Sequence, residues 1–596
     1  MTSADYQPTL PVTAPPSRFR WSVLPMVGRA KPSHVLLAAM LYLFFAVFLI
    51  WPILQVVATG FVGTDGRVTF QYVGLIFQDP VLVQGLGNAT LVAVLVTLLS
   101  LVISLPLAIL SVRYEFPGRG LLAGLLLVPL VLPPFVGAIG MRMILGRFGP
   151  VTMLLGGGGE TGIDWLGQAK IAGIVIVEAL HLYPIMLLNL QAALANIDPA
   201  MEQAAANIGG DRWTIFRKIT LPLIRPGLFA GCTLVLIWSF TELGTPLMFD
   251  FSTITPVQVF KQITDVADNP LPYALVVVML VASAGLYIIG KVLLGRSFDA
   301  ATTKASVQAT PRKLTGLKGF LAMLPFLIVF LLAVVPHISV VLTSFSEIGA
   351  WYKSVIPRDF TIGHYAQALE DELAMPSIVN SIKYASLATC LAVLVGIGVA
   401  IIVVRSNVPG RGVIDSLAML PLAVPGLVLA FGYLAISIWF KQRLGERTPF
   451  WLDVQQYPLV LLVIAYAARR LPYVVRSAVA GLQQTPQDLE LAAANLGASR
   501  WRVLGRITVP LILANLIAGA LLAFAFAMLE VSDSLILAQR ARDYPITKAI
   551  WELFQRLGDG PYIASALGVW AMLLLTLTIL AANSLLGKKM GAIFRV

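Results

Sequence analysis

Cysteine is nearly absent from this chain: Cys232 and Cys390 are the only two in 596 residues. Two thiols in separate apolar stretches build neither a disulfide framework nor a thiolate metal site, and both are read as small buried hydrophobes. Histidine is almost as scarce. His34, His181, His337 and His364 show none of the spacings by which imidazoles share a metal, so no protein-built metal site is expected. Charge is sparse as well, at 12% of residues against 58% hydrophobic and a mean hydropathy of +0.85. That composition excludes an ordinary soluble globular protein and places the chain in a bilayer. The net charge of +12 has no soluble basic face to occupy, which excludes nucleic acid as a partner and leaves anionic lipid heads. Also missing is G-x-x-x-x-G-K-[ST]. The glycine run at 156–162 has no Lys-Ser/Thr after it, so this chain is expected to bind no nucleotide or other cofactor itself. No His/Asp/Ser cluster falls within the apolar runs, and no catalytic residue is assigned.

What the chain has is apolar runs of about 18 to 25 residues, long enough to cross the hydrocarbon core as helices. They fall near 35–60, 89–112, 121–145, 171–191, 226–247 and 273–295, then near 319–345, 381–404, 413–440, 457–475, 513–535 and 563–587. The expected fold is an all-α polytopic membrane protein of about 12 transmembrane helices in two six-helix halves. A tail (1–34) precedes the first half (35–295), and a polar linker (296–318) leads to the second half (319–587) and a short tail (588–596). The first apolar run is too long for the core of a cleavable signal and reads as a retained span. Lys and Arg set orientation. The two tails and the segments 113–120, 195–225, 291–318, 405–411 and 469–510 hold 27 of the 42 basic residues. Alternating spans put all of these on one side, which is then cytoplasmic along with both termini. Six spans per half make the two halves parallel. The opposite-side segments 62–87, 146–169, 248–271, 346–379, 441–456 and 536–561 are longer. Trp351, Tyr352, Glu370, Asp371 and Glu372 make them candidates to seat a soluble partner.

The halves are copies. Residues 201–224 (MEQAAANIGGDRWTIFRKITLPLI) and 489–512 (LELAAANLGASRWRVLGRITVPLI) share 13 of 24 positions at an offset of 288. The same offset relates Pro184 to Pro472 and Glu242 to Glu530. Upstream, an offset of 292 relates Asn88 to Asn380, Arg113 to Arg405, 117–120 to 409–412, Pro129 to Pro421 and Pro133 to Pro425.

A polar, alanine-rich loop kept twice between spans reads as a mechanical part. Pro199 and Pro486 suit the start of a short helix. Glu202 and Glu490 lie near its N-terminus, where a carboxylate complements the helix dipole. Ala204, Ala205, Ala206 and Ala492, Ala493, Ala494 give a low-relief surface that fits closely into a groove. Gly209 and Gly497 permit the left-handed backbone that ends such a helix. Arg212 and Arg500, each followed by Trp, suit an interface with lipid heads, and Pro222 and Pro510 mark re-entry into the bilayer. Further on, Glu242 falls roughly 26 Å up its helix from Arg225 at 1.5 Å per residue, and Glu530 takes the same place in the second half, with Asp533 one turn beyond. Intramembrane carboxylates usually face a cavity or a partner. These three are candidates for lining or gating a pathway, with helix packing as the alternative. An acidic pair there attracts a cation, repels a bare anion, or holds a gate shut by accepting from backbone amides. On this reading, replacing both Glu242 and Glu530 with Gln impairs transport and leaves assembly intact.

The pattern E-A-A followed by glycine and later by I-x-L-P resembles the coupling loop of permease subunits of bacterial ATP-binding-cassette importers of the type I class. The departures are Gln203 and Leu491 before the alanines, and Val509 in place of leucine before Pro510. The resemblance covers both loops, and the fused twelve-span layout extends it over nearly the whole chain. It implies the type I permease fold in a bacterial inner membrane, with loops 198–222 and 486–510 docking two copies of a cytoplasmic ABC ATPase. ATP and Mg then belong to that partner, whose cleft receives the loop's short helix, with the Glu and Gly as its most characteristic residues. A periplasmic substrate-binding protein delivers the cargo. Fused chains of this kind are similar to the ferric-iron transport group, with phosphonate and thiamine systems as relatives. An ion-coupled secondary transporter is the alternative class, since it also has twelve spans in two halves.

Overall fold

The computed structural model describes residues 31–63, 66–156, 162–163, 165–263, 266, 269–294 and 311–586. Most of both tails, most of the linker and most of the glycine run at 156–162 lie outside these residues. Among the described residues, ten helices are long and apolar enough to cross a membrane. An eleventh span is broken: Arg119–Leu130 and Pro134–Ile144 meet at 90°. Pro133 and Pro134 remove amide donors at the corner, so the chain turns there rather than continuing the helical ladder. The twelfth is Leu459–Gln484, 26 residues long. Its apolar character is interrupted by Arg469, Arg470 and Arg476. Each half therefore contributes six long elements. Among the described residues, β structure is confined to a two-residue parallel pairing of Tyr114–Glu115 with Arg312–Lys313 and to isolated bridges of Val62 with Val68 and Ser346 with Phe360.

Several elements outrun the apolar runs that announce them. The helix expected near 89–112 spans Pro80–Arg113, capped by Asp79, whose side chain accepts from the Val81 amide at 2.8 Å. The spans expected near 226–247 and 513–535 instead end at Phe240 and Met528. Short helices follow at Gly244–Met248 and Ser532–Leu537. Glu242 and Glu530 thus occupy the turn between two helices and not a helix face.

The first span of each half packs on the other half. Pro32–Gly60 lies against the second half, where the Tyr42 hydroxyl donates to the Gly410 carbonyl at 2.9 Å and the Tyr433 hydroxyl to that of Phe48 at 2.5 Å. Gly316–Phe345 lies against the first half, with Phe326 meeting Phe116 at 5.2 Å between ring centres. Both crossings depend on glycine. A Cβ on Gly140 would stand 1.7 Å from the Pro336 carbonyl oxygen, and one on Gly432 2.6 Å from that of Pro52. Without a hydrophobic drive between helices in lipid, such close approach at small residues is what holds spans together. Large apolar side chains such as Leu43, Val102 and Leu394 are correspondingly exposed on the outside.

Contacts at the bundle ends agree with alternating spans. On the loop face, Arg500 bonds Ser33 and the 114–115 strand meets 312–313. On the opposite face, Asn88 and Asn380 donate to the carbonyls of Thr253 (2.6 Å) and Arg542 (2.8 Å), and Arg556 pairs with Asp371 at 2.7 Å. The duplicated asparagine therefore performs the same tethering task twice. Cys232 is half-buried, its sulfur 4.0 Å from that of Met186, but Cys390 is exposed on its helix. The expectation of two buried thiols fails for the second because its helix faces outward there.

Candidate functional site

The repeated loops form near-identical objects. Pro199–Asn207 and Asp488–Asn495 are helices with no buried residue. The first starts from Asp198, whose side chain accepts from the Ala200 amide at 2.9 Å. Gly209 and Gly497 follow at φ +89° and +84°, a left-handed backbone that costs an L side chain about 1–2 kcal/mol. Amides past each helix return to it: Gly210 to the Ala205 carbonyl at 2.9 Å, Ala498 to that of Ala493 at 3.1 Å. Ala204, Ala206, Ala492 and Ala494 are exposed and Ala205 and Ala493 half-buried. Ile208 and Leu496, each 89% exposed, stand at matching tips of the two loops. Arg212 and Arg500 are exposed beside Trp213 and Trp501, and Pro222 and Pro510 sit in the first turn of the returning span.

Glu202 and Glu490 do more than complement a helix dipole. Glu202 accepts from Arg113 and from the Thr220 hydroxyl at 2.6 Å, and Arg113 also reaches Thr220 at 3.1 Å. Glu490 pairs with Arg405 at 3.3 Å and accepts from the Thr508 hydroxyl at 3.2 Å, while Arg405 donates to the Thr485 carbonyl at 2.7 Å. Each Glu thus clamps its short helix to the end of one span and the start of another. The threonines close π-helical turns, Phe216–Thr220 and Leu504–Thr508, an uncommon geometry that both halves adopt at the same place. The repeat at Arg113 and Arg405 was visible in sequence; their bond to the loop glutamates lies about 90 residues away and was not.

Between the halves lies a cavity of about 140 Å³, room for several waters. The third, fourth and fifth spans of each half, and the turns after the fifth spans, enclose it. Glu242 and Glu530 both line it; Asp533 is fully buried and is absent from the lining. Arg469 and Arg470, expected at the edge of a cytoplasmic segment, instead lie inside their helix and line the cavity. The reason is electrostatic. Glu530, 3% exposed, is bonded by both guanidiniums, and Arg469 reaches Asp533 at 3.5 Å. Each buried charge has an opposite partner. Arg470 also lies over the Phe526 ring, 5.5 Å from its centre.

The first-half wall differs. The offset of 288 pairs Arg469 with His181, Arg470 with Leu182, and Asp533 with Thr245. Glu242 accepts from the Gly244 and Thr245 amides at 3.1 and 3.3 Å, capping the short helix beyond it. His181 Nδ1 bonds the Pro129 carbonyl at 2.8 Å. Glu178, 2% exposed, lines the same cavity and accepts from the Ser239 hydroxyl through Oε2, leaving Oε1 without a hydrogen-bond partner. Sequence reasoning passed over Glu178, although a lone carboxylate inside the run 171–191 was the signal for it.

Known proteins match this arrangement. The family described as "Binding-protein-dependent transport system inner membrane component" matches residues 100–298 and again 392–590. A putative ferric transport system permease protein of Haemophilus influenzae is 29% identical over 84% of this chain and 77% of its own length. A molybdenum transport system permease protein of Escherichia coli is 36% identical over 27% of this chain and 71% of its own. A solved bacterial ABC transporter involved in the import of the acidic polysaccharide alginate is 18% identical, covering 45% of this chain and 97% of that one at a TM-score of 0.37. The two matched stretches coincide with the two copies of loop and cavity wall, and the chain belongs to the binding-protein-dependent transport system inner membrane components, the permeases of ABC importers, carrying the family's domain twice.

Proposed function

We propose that this chain forms the whole transmembrane pathway of an ATP-driven importer of ferric iron. Two cytoplasmic ABC ATPases dock on loops 198–222 and 486–510, and a periplasmic binding protein delivers cargo to the opposite face. The observation that carries this reading is the pair of matching loops, each anchored by an Arg–Glu–Thr clamp and tipped by an exposed Ile208 or Leu496. ATPase closure pulls the short helices together. The clamps pass that displacement to the spans ending at Arg113 and Arg405 and to those starting at the π turns, so the halves rock as bodies around the cavity. Glu242, Glu530 and Asp533 act as gate residues. Glu530 and Asp533 hold Arg469 and Arg470 along the second-half wall in the closed state, and Glu242 fixes the turn on the first-half wall. With the loop face cytoplasmic, both chain ends are cytoplasmic too.

The iron assignment rests on the likeness to the ferric permease over most of the chain. An oxyanion cargo is the second reading, favoured by the guanidiniums of Arg469 and Arg470 in the cavity and by the shorter likeness to a molybdenum permease. Gentle co-purification from the native membrane tests both, with mass spectrometry of the partners and elemental analysis of the captured binding protein. The expected result is an ATPase at two copies per chain and iron in the binding protein. Molybdenum there would move the cargo, and a stable complex with no ATPase would overturn the proposal.

A further inference from the structure

The two walls of the cavity differ in how far their charges are already matched. On the second-half wall, two guanidiniums face Glu530 with Asp533 behind it, two charges of each sign; Glu530 is bonded by both arginines, while Asp533 meets only Arg469, at 3.5 Å, and neither of its oxygens has a hydrogen-bond partner. An arriving anion would have to displace Glu530 from both arginines. On the first-half wall, Glu178 and Glu242 form no ion pair with any Lys or Arg among the described residues. Glu178 is almost wholly buried with Oε1 unbonded. Glu242 uses Oε1 alone for its two backbone amides. A buried polar atom without a partner is costly, and a carboxylate in a membrane protein's interior usually marks an ion path. In place of Arg469, the first half carries His181, so the copy of the wall that retains unmatched acids has also lost the cation that would match them.

We propose that Glu178 and Glu242 form a transit site for a hard metal cation on the first-half wall, the second-half wall being closed to ligands by its own ion pairs. This rests on the permease reading above. Carboxylate oxygens suit hard cations. Among the described residues no three acidic, imidazole or thiol groups converge as a metal centre. Two donors without a third fit a passage better than a store, because conduction needs binding weak enough to release. Trp238 also lines the cavity, which gives the site an internal optical reporter.

Terbium(III), a hard trivalent ion, is the probe, added to the permease–ATPase complex in nanodiscs with indole excitation. Saturable terbium emission is expected, lost in Trp238→Phe. Glu178→Gln should weaken binding about tenfold or more, equivalent to about 1.4 kcal/mol. Glu178→Asp should retain most of it, and Glu242→Gln serves where Glu178→Gln does not assemble. Emission that survives Trp238→Phe, or binding unchanged in both Glu178→Gln and Glu242→Gln, overturns the site. ATP-driven uptake in proteoliposomes with the binding protein separates the two levels. Ferric uptake unchanged in both glutamine variants removes the site and leaves the importer. Terbium binding that follows the variants in a complex with no ferric uptake removes the iron assignment and leaves the site. Uptake of molybdate with no terbium binding overturns the proposal.

Discussion

The two repeated loops remained alike after duplication, and the two cavity walls did not. Both loops keep the Arg–Glu–Thr clamp, the π turn and the left-handed glycine. Across the cavity, by contrast, Arg469, Arg470 and Asp533 face His181, Leu182 and Thr245. On the proposed function, a part that engages the same kind of partner twice tolerates little divergence, whereas a pathway for one cargo needs no symmetry and its two walls are free to specialise, one holding charge pairs and the other unmatched acids.

The largest expected effect separates the two glutamates that sequence alone treats as equivalent. Glu530→Gln leaves two half-buried guanidiniums facing Asp533 alone, and losing a buried partner costs about 3–5 kcal/mol; poor yield and early melting in detergent are expected, in place of the intact assembly that the sequence alone suggests for the Glu242→Gln and Glu530→Gln pair. Glu242→Gln removes no ion pair, so melting should stay near wild type while transport falls. Equal melting of the two variants would erase the asymmetry of the walls. Next comes the crossing of the halves. Gly140→Ala, against a carbonyl 1.7 Å from the new methyl, should destabilise more than Gly432→Ala at 2.6 Å, each by about 1–3 kcal/mol as overpacking. Thermal melting of the purified chain ranks them. Double-mutant cycles then sharpen the likeness of the loops. Coupling of Arg113 with Glu202 and of Arg405 with Glu490 should be at least about 0.5 kcal/mol in each, with each single variant lowering permease-stimulated ATP hydrolysis. Smallest is Gly209→Ala against Gly497→Ala. Neither site has an atom within 4 Å of a new Cβ, so only backbone strain of about 1 kcal/mol is added, equally in both.

Much of the fold was legible. Apolar run length, the duplicated loop and the offsets of 288 and 292 fixed two parallel six-span halves, and the family's double match agrees with them. That membership also sets aside the ion-coupled carrier. What stayed hidden depends on contacts distant in sequence. The exchange of first spans rests on Gly140 and Gly432 meeting carbonyls far along the chain, which no local pattern encodes. Arg469 and Arg470 looked like the end of a span because charge inside an apolar run resembles a boundary until its partner is seen. The loop glutamates were assigned to helix ends by position, whereas Arg113 and Arg405 show them to be anchors. Glu178 was the avoidable omission, since an isolated carboxylate amid Ile, Val and Ala was plain in the sequence.

In the proposed importer both loops engage the same ATPase. A photo-reactive phenylalanine analogue placed at Ile208 or at Leu496, one at a time in the full chain in native membranes, tests it directly. The account predicts that irradiation joins one and the same ABC ATPase to either position. A folded, membrane-inserted chain that captures no ATPase from either tip would contradict it.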